Sequence, residues 1–164
     1  YMSIDKKRFI AKNHSGFTLV ELLVVMSIMM SLLGFITISL VRSQQTASLT
    51  ATEEVLLADL KQQQVKAMIG DTEGRSDSGD YGIHFDQTKY TLFHGAYIIG
   101  ESTNSPVNLP QSLQFESSGA NIIFQKISGE ISADSITSII LKDITNGNTK
   151  TIKINQYGVI TEVN

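Results

Sequence analysis

An uncharged apolar run near the amino terminus constrains this chain more than any other feature. The run extends from Leu22 to Val41, and only glycine, serine and threonine interrupt it. An α-helix rises about 1.5 Å per residue, so a helix of this length spans the roughly 30 Å hydrocarbon core of a bilayer. A helix of a soluble domain keeps one polar face, and the rest of the chain is too small to bury this one on all sides. The sequence therefore predicts a transmembrane helix.

The charges on either side of the run predict its orientation. The first sixteen residues contain four basic residues and one acid, which are Lys6, Lys7, Arg8, Lys12 and Asp5. Positive flanks stay on the cytoplasmic side, so we expect residues after Val41 to lie outside the cytoplasm. With the first sixteen residues set aside, nine basic and fifteen acidic groups remain in 17–164. An acidic exported part disfavours a phosphate-binding surface.

The composition and motifs exclude several kinds of site. The chain has no cysteine, which excludes a disulfide framework, a thiolate metal site, a cysteine nucleophile and a lipoprotein anchor. The patterns G-x-S-x-G, H-E-x-x-H, G-x-G-x-x-G and the P-loop are absent from the sequence. We therefore predict a protein that is not an enzyme and that uses no cofactor and no metal.

The segment before the run reads as a targeting leader with an unusual cleavage position. An ordinary secretory signal is cut after its apolar segment at an A-x-A-like site, and Arg42-Ser43-Gln44-Gln45 offers none there. The small-residue junction Ser15-Gly16 lies before the run, so a cut there leaves the apolar helix on the mature protein. We also expect Met2, and not Tyr1, to be the initiating residue.

This junction carries a resemblance to a known family. The class III signal of type IV pilins and type II secretion pseudopilins is similar to Gly16-Phe17-Thr18-Leu19-Val20-Glu21 followed by Leu22 to Val25. The resemblance implies that a membrane prepilin peptidase cuts between Gly16 and Phe17 and N-methylates Phe17. It divides the chain into a cleaved leader, 1–16, a transmembrane and assembly helix, 17–41, and an exported part, 42–164.

Glu21 stands next to this cut within the apolar region. A carboxylate near the bilayer interior costs about 2.5–3.5 kcal/mol on insertion scales, so it needs a partner. Cleavage before Phe17 creates a cationic amine in the same layer, and pairing with Glu21 neutralises both charges. Within one helix, the Glu21 carboxylate is poorly placed to reach the amine of Phe17. The family resemblance implies that the glutamate pairs with the amine of a neighbouring subunit during filament assembly.

The helical pattern continues beyond the apolar run. Arg42 to Ile69 contains neither glycine nor proline. Its apolar residues recur at intervals of seven, four and seven positions, which places them on one face of an α-helix. They are Leu49, Leu56, Leu60 and Ala67. We assign the other positions, Glu53 and Gln63 among them, to the polar face. One helix is therefore predicted from Phe17 to about Ile69, with Gly70 as its stop.

A polar loop and a β-rich region follow the helix. Gly70 to Asp80 contains four acids, but their spacing does not match an EF-hand, so calcium binding there stays an open question. From Tyr81 onward the hydrophobic period is two. The predicted strands are Tyr81–Phe85, Tyr90–Phe93, Ala96–Ile99, Leu113–Phe115, Asn121–Ile127, Ser135–Ile144, Thr149–Ile154 and Val159–Val163, with a loop at Gly100–Gln111.

Two turns predict hairpins, and the first of them also predicts a register. A four-residue loop after Phe85 places it opposite Tyr90, which puts His84 and His94 on opposite faces where they cannot share a metal. The third histidine, His14, belongs to the leader. Asn146-Gly147 is a strong hairpin turn between the strands on either side of it.

The elements together predict an α+β protein. A long amino-terminal helix, transmembrane and then amphipathic, packs its apolar stripe on a small antiparallel sheet. The strands from Asn121 to Val163 are similar to the C-terminal sheet of H-type minor pseudopilins and FimT-like minor pilins. Some FimT-like pilins bind DNA through a basic C-terminal segment. Residues 157–164 contain no lysine or arginine, which disfavours a nucleic-acid partner here.

The family resemblance implies a structural role. Its members are inner-membrane subunits, single-pass with the C-terminal domain outside the cytoplasm, that join other pilin or pseudopilin subunits on an inner-membrane assembly platform. We expect a pseudopilus subunit that serves type II-like protein secretion. A minor pilin of a type IV pilus, in adhesion, motility or DNA uptake, is the alternative. A membrane-anchored extracellular binding domain that never polymerises is the second alternative.

Overall fold

The computed structural model describes residues 16–164, with the side chains at 37–42 and 45 left aside. The leader interpretation for residues 1–15, including its basic residues and His14, lies outside the described residues. The chain separates into an N-terminal unit, 1–41, and a C-terminal unit, 42–164. Helix α1, Leu19–Ile69, contributes residues to both units. The prediction of a long helix is confirmed, and its start lies two residues after Phe17.

In the C-terminal unit, α1 buries the predicted apolar stripe. Leu49, Leu56, Leu60 and Ala67 are all buried. The assignment of Glu53 and Gln63 to a polar, solvated face is wrong, because both side chains are buried. For Glu53 the structure supplies a reason, since Lys150 Nζ approaches its carboxylate at 3.5 Å. A charge partner from a distant strand makes burial of this carboxylate tolerable.

Helix α1 ends as predicted at Gly70. The amide of Gly70 donates to Ala67 O at 3.1 Å, and the amide of Asp71 donates to Lys66 O at 3.0 Å. This pair of bonds is the Schellman motif, which requires a left-handed residue just past the helix. Gly70 supplies it with φ 65°, a conformation that glycine adopts without a Cβ clash.

Eight strands form two antiparallel sheets in the C-terminal unit. They are β1 (Tyr81–Phe85), β2 (Lys89–His94), β3 (Ser105–Asn108), β4 (Leu113–Phe115), β5 (Ala120–Phe124), β6 (Ser138–Asp143), β7 (Thr149–Ile154) and β8 (Ile160–Val163). The first sheet has the order β3-β2-β1-β5, and the second has the order β4-β6-β7-β8. The α+β architecture of helix and antiparallel strands is the pilin-like arrangement expected from the sequence, with two small sheets where one was predicted.

Three local predictions about strands are wrong. Residues 96–99 form no strand and instead pass through a turn, while β3 lies inside the segment predicted to be a loop. β3 contains Pro106 and pairs only with β2 among the described strands, and a strand edge is where proline is tolerated. β5 ends at Phe124 because the amide of Gln125 turns to Glu130 O at 2.8 Å.

The predicted register of the first hairpin and the predicted turn of the second are confirmed. Phe85 pairs with Tyr90, and Ile83 pairs with Leu92. The Asn146-Gly147 turn connects β6 to β7, with Gly147 at φ 76°.

One hydrophobic core joins the helix stripe to both sheets. It includes Leu56 and Leu60 of α1, Ile83 of β1 and Ile152 of β7. Tyr90 anchors the helix to β2, because its buried ring carries a hydroxyl that donates to the Asp59 carboxylate. Burial, together with this carboxylate, raises the pKa of Tyr90. The C-terminal unit therefore holds its core within itself.

Candidate functional site

The amino-terminal start of α1 is where the sequence-predicted processing and assembly residues lie. The hydroxyl of Thr18 accepts a hydrogen bond from the amide of Glu21 at 3.1 Å. The carbonyl of Thr18 accepts the first helical bond, from Leu22 N, also at 3.1 Å. Thr18 is thus the N-cap residue, and Glu21 occupies the third helical position of a T-x-x-E capping sequence.

Sequence reasoning missed the role of Thr18, although the signal was available. Thr18-Leu19-Val20-Glu21 is the capping pattern that precedes an apolar run. The capping position also gives Glu21 a local role. A carboxylate in the first turn interacts favourably with the positive end of the helix dipole.

Gly16 and Phe17 lie before the helix in a segment without regular structure. A Cβ added at Gly16 would meet nothing within 4 Å, and the backbone there is not left-handed. Nothing among the described residues therefore requires glycine at this position. The Phe17 side chain is 83% exposed. An exposed, non-helical segment is the conformation in which a protease reaches a peptide bond.

The first half of α1 exposes an apolar surface. Leu19–Ile36 is long and apolar enough to cross a membrane by length and composition, and none of this stretch is buried. Ser27 satisfies its hydroxyl by donating to Val24 O at 2.8 Å, which reduces the cost of a serine in an apolar environment. Glu21 is the only charged residue of 17–41. The stretch Leu19–Ile36 thus presents an exposed apolar helix surface with one carboxylate in its first turn.

The two described histidines lie apart, as predicted. His84 Nδ1 lies 2.6 Å from Asn121 Oδ1, and the imidazole stacks on Tyr97 with ring centroids 3.9 Å apart. His94 Nε2 accepts a hydrogen bond from the amide of Gly79 at 3.0 Å. Among residues 16–164, no group of three or more metal-binding side chains is placed to hold an ion.

Internal partners engage most acids of the 70–80 segment. Glu73 binds Lys66 at 2.6 Å and Arg75 at 2.9 Å. The pKa of Glu73 lies below its ordinary value, and the hydrogen bond from Lys66 is the largest cause. Asp71 accepts the amide of Glu73, and Asp80 accepts the amide of Lys126. These carboxylates stabilise the loop itself, which leaves the question of calcium there without support from the geometry.

The lysines of the β6–β7 hairpin are paired with carboxylates. Lys142 approaches Glu116 at 3.5 Å, and Lys153 approaches Glu162 at 2.7 Å. Lys150 is the partner of the buried Glu53 described above. The hairpin therefore offers little unneutralised positive charge to a nucleic-acid backbone.

Comparison with known proteins finds one match, at the start of the chain. Residues 11–37 match the family model of the prokaryotic N-terminal methylation motif. No curated protein and no solved structure matches the chain. The matched segment includes Gly16, Phe17, Thr18 and Glu21 and most of the apolar run.

Proposed function

The N-terminal methylation motif supports the type IV pilin and pseudopilin family, and on this premise we propose that the chain is a pilin-like structural subunit assembled through its first helix. The match over 11–37 is the observation that carries the proposal. It implies processing by a prepilin peptidase and association with other pilin subunits. Members of this family are structural and not enzymatic.

The proposed processing step is a cut between Gly16 and Phe17, with removal of residues 1–16 and N-methylation of Phe17. Two observations support it. The peptide bond lies in an exposed segment without regular structure, and the surrounding structure gives no reason for a glycine at 16. A small residue at this position fits the demand of a peptidase pocket.

The proposed assembly residue is Glu21. It is the one charge on an apolar helix, and a carboxylate in lipid costs about 2.5–3.5 kcal/mol. The cut creates a cationic amine on Phe17, at the end of the helix where Thr18 forms the cap. In a filament, Glu21 of one subunit pairs with this amine of a neighbour, so assembly removes two costly charges from the lipid phase. Helix–helix contacts then replace lipid contacts along the apolar surface.

Within the family we propose a pseudopilus subunit of a type II-like secretion system. The subunit is anchored in the inner membrane with its C-terminal unit outside the cytoplasm, and it joins an inner-membrane assembly platform. The resemblance of the C-terminal strands to H-type minor pseudopilins supports this choice. A minor pilin of a type IV pilus is the alternative. The paired hairpin lysines weigh against DNA uptake as its task.

Mass spectrometry of the chain produced with a prepilin peptidase tests the processing. We expect the mature protein to begin with N-methylated Phe17. Gly16→Val adds a branched side chain at a place where the structure leaves space. This variant is therefore expected to fold normally and to retain its leader. A natural chain that keeps residues 1–16 would contradict the proposal and favour a simple membrane anchor.

Glu21→Ala tests assembly separately from processing. We expect this variant to be cleaved, to stay in the membrane and to be absent from sheared filaments. Ser27→Ala is the matched control, because it also removes a polar group from the same apolar helix and leaves the charge in place. Normal entry of Glu21→Ala into filaments would contradict the proposed role of Glu21 in assembly. It would leave the processing proposal unaffected.

A further inference from the structure

His94 contacts the backbone of the polar segment 70–80 through an unprotonated nitrogen. It ends β2 opposite Tyr81, and its Nε2 accepts the amide hydrogen of Gly79 at 3.0 Å. An imidazole nitrogen accepts a hydrogen bond only when it carries no proton, so His94 is neutral in this arrangement with its proton on Nδ1. The contact is close, since a Cβ on Gly79 would lie 3.1 Å from the ring.

Other bonds fix the two ends of the segment. The Tyr81 hydroxyl donates to Asp71 O at 2.9 Å near the start. At the other end, the amide of Gly95 donates to Asp80 O at 2.7 Å, and the Asp80 carboxylate accepts the amide of Lys126 at 2.8 Å. Between the residues fixed by these bonds, Asp71 and Asp80, the His94 bond to Gly79 holds the segment against β2.

Charged and titratable groups from several elements face His94. Lys66 comes from α1, Arg75 comes from the segment itself, and Tyr81 of β1 packs edge-on with ring centroids 4.6 Å apart. The facing acids are Asp71, Glu73 and Asp80. Burial, followed by Arg75, lowers the pKa of His94 below its ordinary 6.5 despite these acids. The neutral form is thus stabilised by folding, and that stabilisation is complete above about pH 6.5 and lost as pH falls through the lower folded pKa.

We propose that His94 is a pH-sensitive latch for the segment 70–80: neutral His94 holds Gly79 against β2, and protonated His94 releases it. A proton on Nε2 is a hydrogen-bond donor that points at another donor, the Gly79 amide, so the bond is lost. The protonated imidazole is also a second cation beside Arg75. Lys66 holds the pKa of Glu73 below its ordinary value, which favours the Lys66–Glu73 ion pair at mildly acidic pH. Opening is therefore confined to the portion between the Asp71 and Asp80 anchors. The latch lies within the C-terminal unit and is independent of filament assembly.

A nitroxide spin label at position 76 reports the opening. The chain has no cysteine, so Ser76→Cys creates a unique labelling site on an exposed residue. The full chain in detergent is titrated from about pH 8 to about pH 4.5. We expect a mobile spectral component that grows in a single-proton transition with its midpoint below 6.5, changing about tenfold in ratio per pH unit. A spectrum that stays constant over this range would overturn the latch.

Two controls keep the result specific. His94→Gln offers an amide oxygen to Gly79 but does not titrate, so the labelled variant should show a flat profile. An unchanged transition in His94→Gln would assign the opening to the carboxylates and overturn the latch. A label at Ser118→Cys, in the turn before β5, should be insensitive to pH. The same transition at position 118 would mean a general acid response of the fold and would equally overturn it.

Discussion

Thr18 and Glu21, at the start of α1, link the capping of the helix to the proposed contact with a neighbouring subunit. The Thr18 hydroxyl holds the amide of Glu21 at 3.1 Å, which fixes the first turn before any subunit contact forms. The carboxylate of Glu21 then belongs to a turn whose backbone is ordered by this cap. Because the cap orders this turn, less conformational entropy remains to be lost when the carboxylate meets its proposed partner.

Tyr90 provides a prediction at the residue scale. Tyr90→Phe removes the hydroxyl that donates to Asp59 and leaves the buried ring in place. We expect a loss of about 1.5–3 kcal/mol in the free energy of unfolding, the usual range for a hydrogen bond to a charged acceptor. Denaturant midpoints of the chain in detergent measure it.

Tyr157→Phe is the control for this measurement, because it makes the same chemical change on an exposed ring. It should shift the free energy of unfolding by less than about 0.5 kcal/mol. Equal effects of the two substitutions would show that the Tyr90–Asp59 bond does not anchor the helix to β2.

At the element scale, α1 shows what local periodicity can and cannot predict. The spacing of Leu49, Leu56, Leu60 and Ala67 identified the buried stripe correctly. Burial of Glu53 and Gln64 depends on partners from β7 and the turn before β8, where Lys150 and Tyr157 O lie. Those partners are about ninety residues away in sequence, and a periodicity argument contains no information about them.

The strands show the same limit. Registers set by short turns, such as Phe85 with Tyr90, followed from local sequence. The separation into two sheets depends on long-range pairings such as β1 with β5 and β4 with β6. β3 was missed because Pro106 argues against a strand unless the strand is known to lie at an edge. In contrast, the cap at Thr18 was present in local sequence and could have been found.

The end of α1 supports a prediction at the element scale. Gly70→Ala places a Cβ on a residue with φ 65°, which costs about 1–2 kcal/mol for a residue other than glycine. We expect the free energy of unfolding to fall by that amount. Gly70→Asn should cost less, because asparagine tolerates the left-handed region at helix ends. An alanine variant as stable as the natural chain would mean that the Schellman turn contributes little to the helix end.

At the scale of the whole molecule, the two units differ in what they need. The N-terminal unit exposes apolar side chains from Phe17 to Ile36 and buries none of the stretch 19–36. Such a surface is suited to lipid and, in the proposed filament, to the helices of other subunits. The C-terminal unit places its buried apolar residues, from Leu49 to Ile154, in one cluster drawn from α1 and both sheets. The buried core and the residues of the proposed assembly thus lie in different parts of the sequence.

This division predicts that residues 42–164 fold alone. Deleting 1–41 removes no member of the buried core and no partner of Glu53, Asp59 or Gln64. Hydrophobic burial, the main driving force of folding, is therefore retained in full. We expect the fragment to be monomeric in buffer without detergent and to unfold in one cooperative transition, measured by gel filtration and circular dichroism. The Tyr90→Phe substitution should destabilise the fragment and the full chain by the same amount, because additivity holds for distant, independent sites. A fragment that aggregates or melts without cooperativity would show that residues 1–41 are also needed to build the fold of the C-terminal unit.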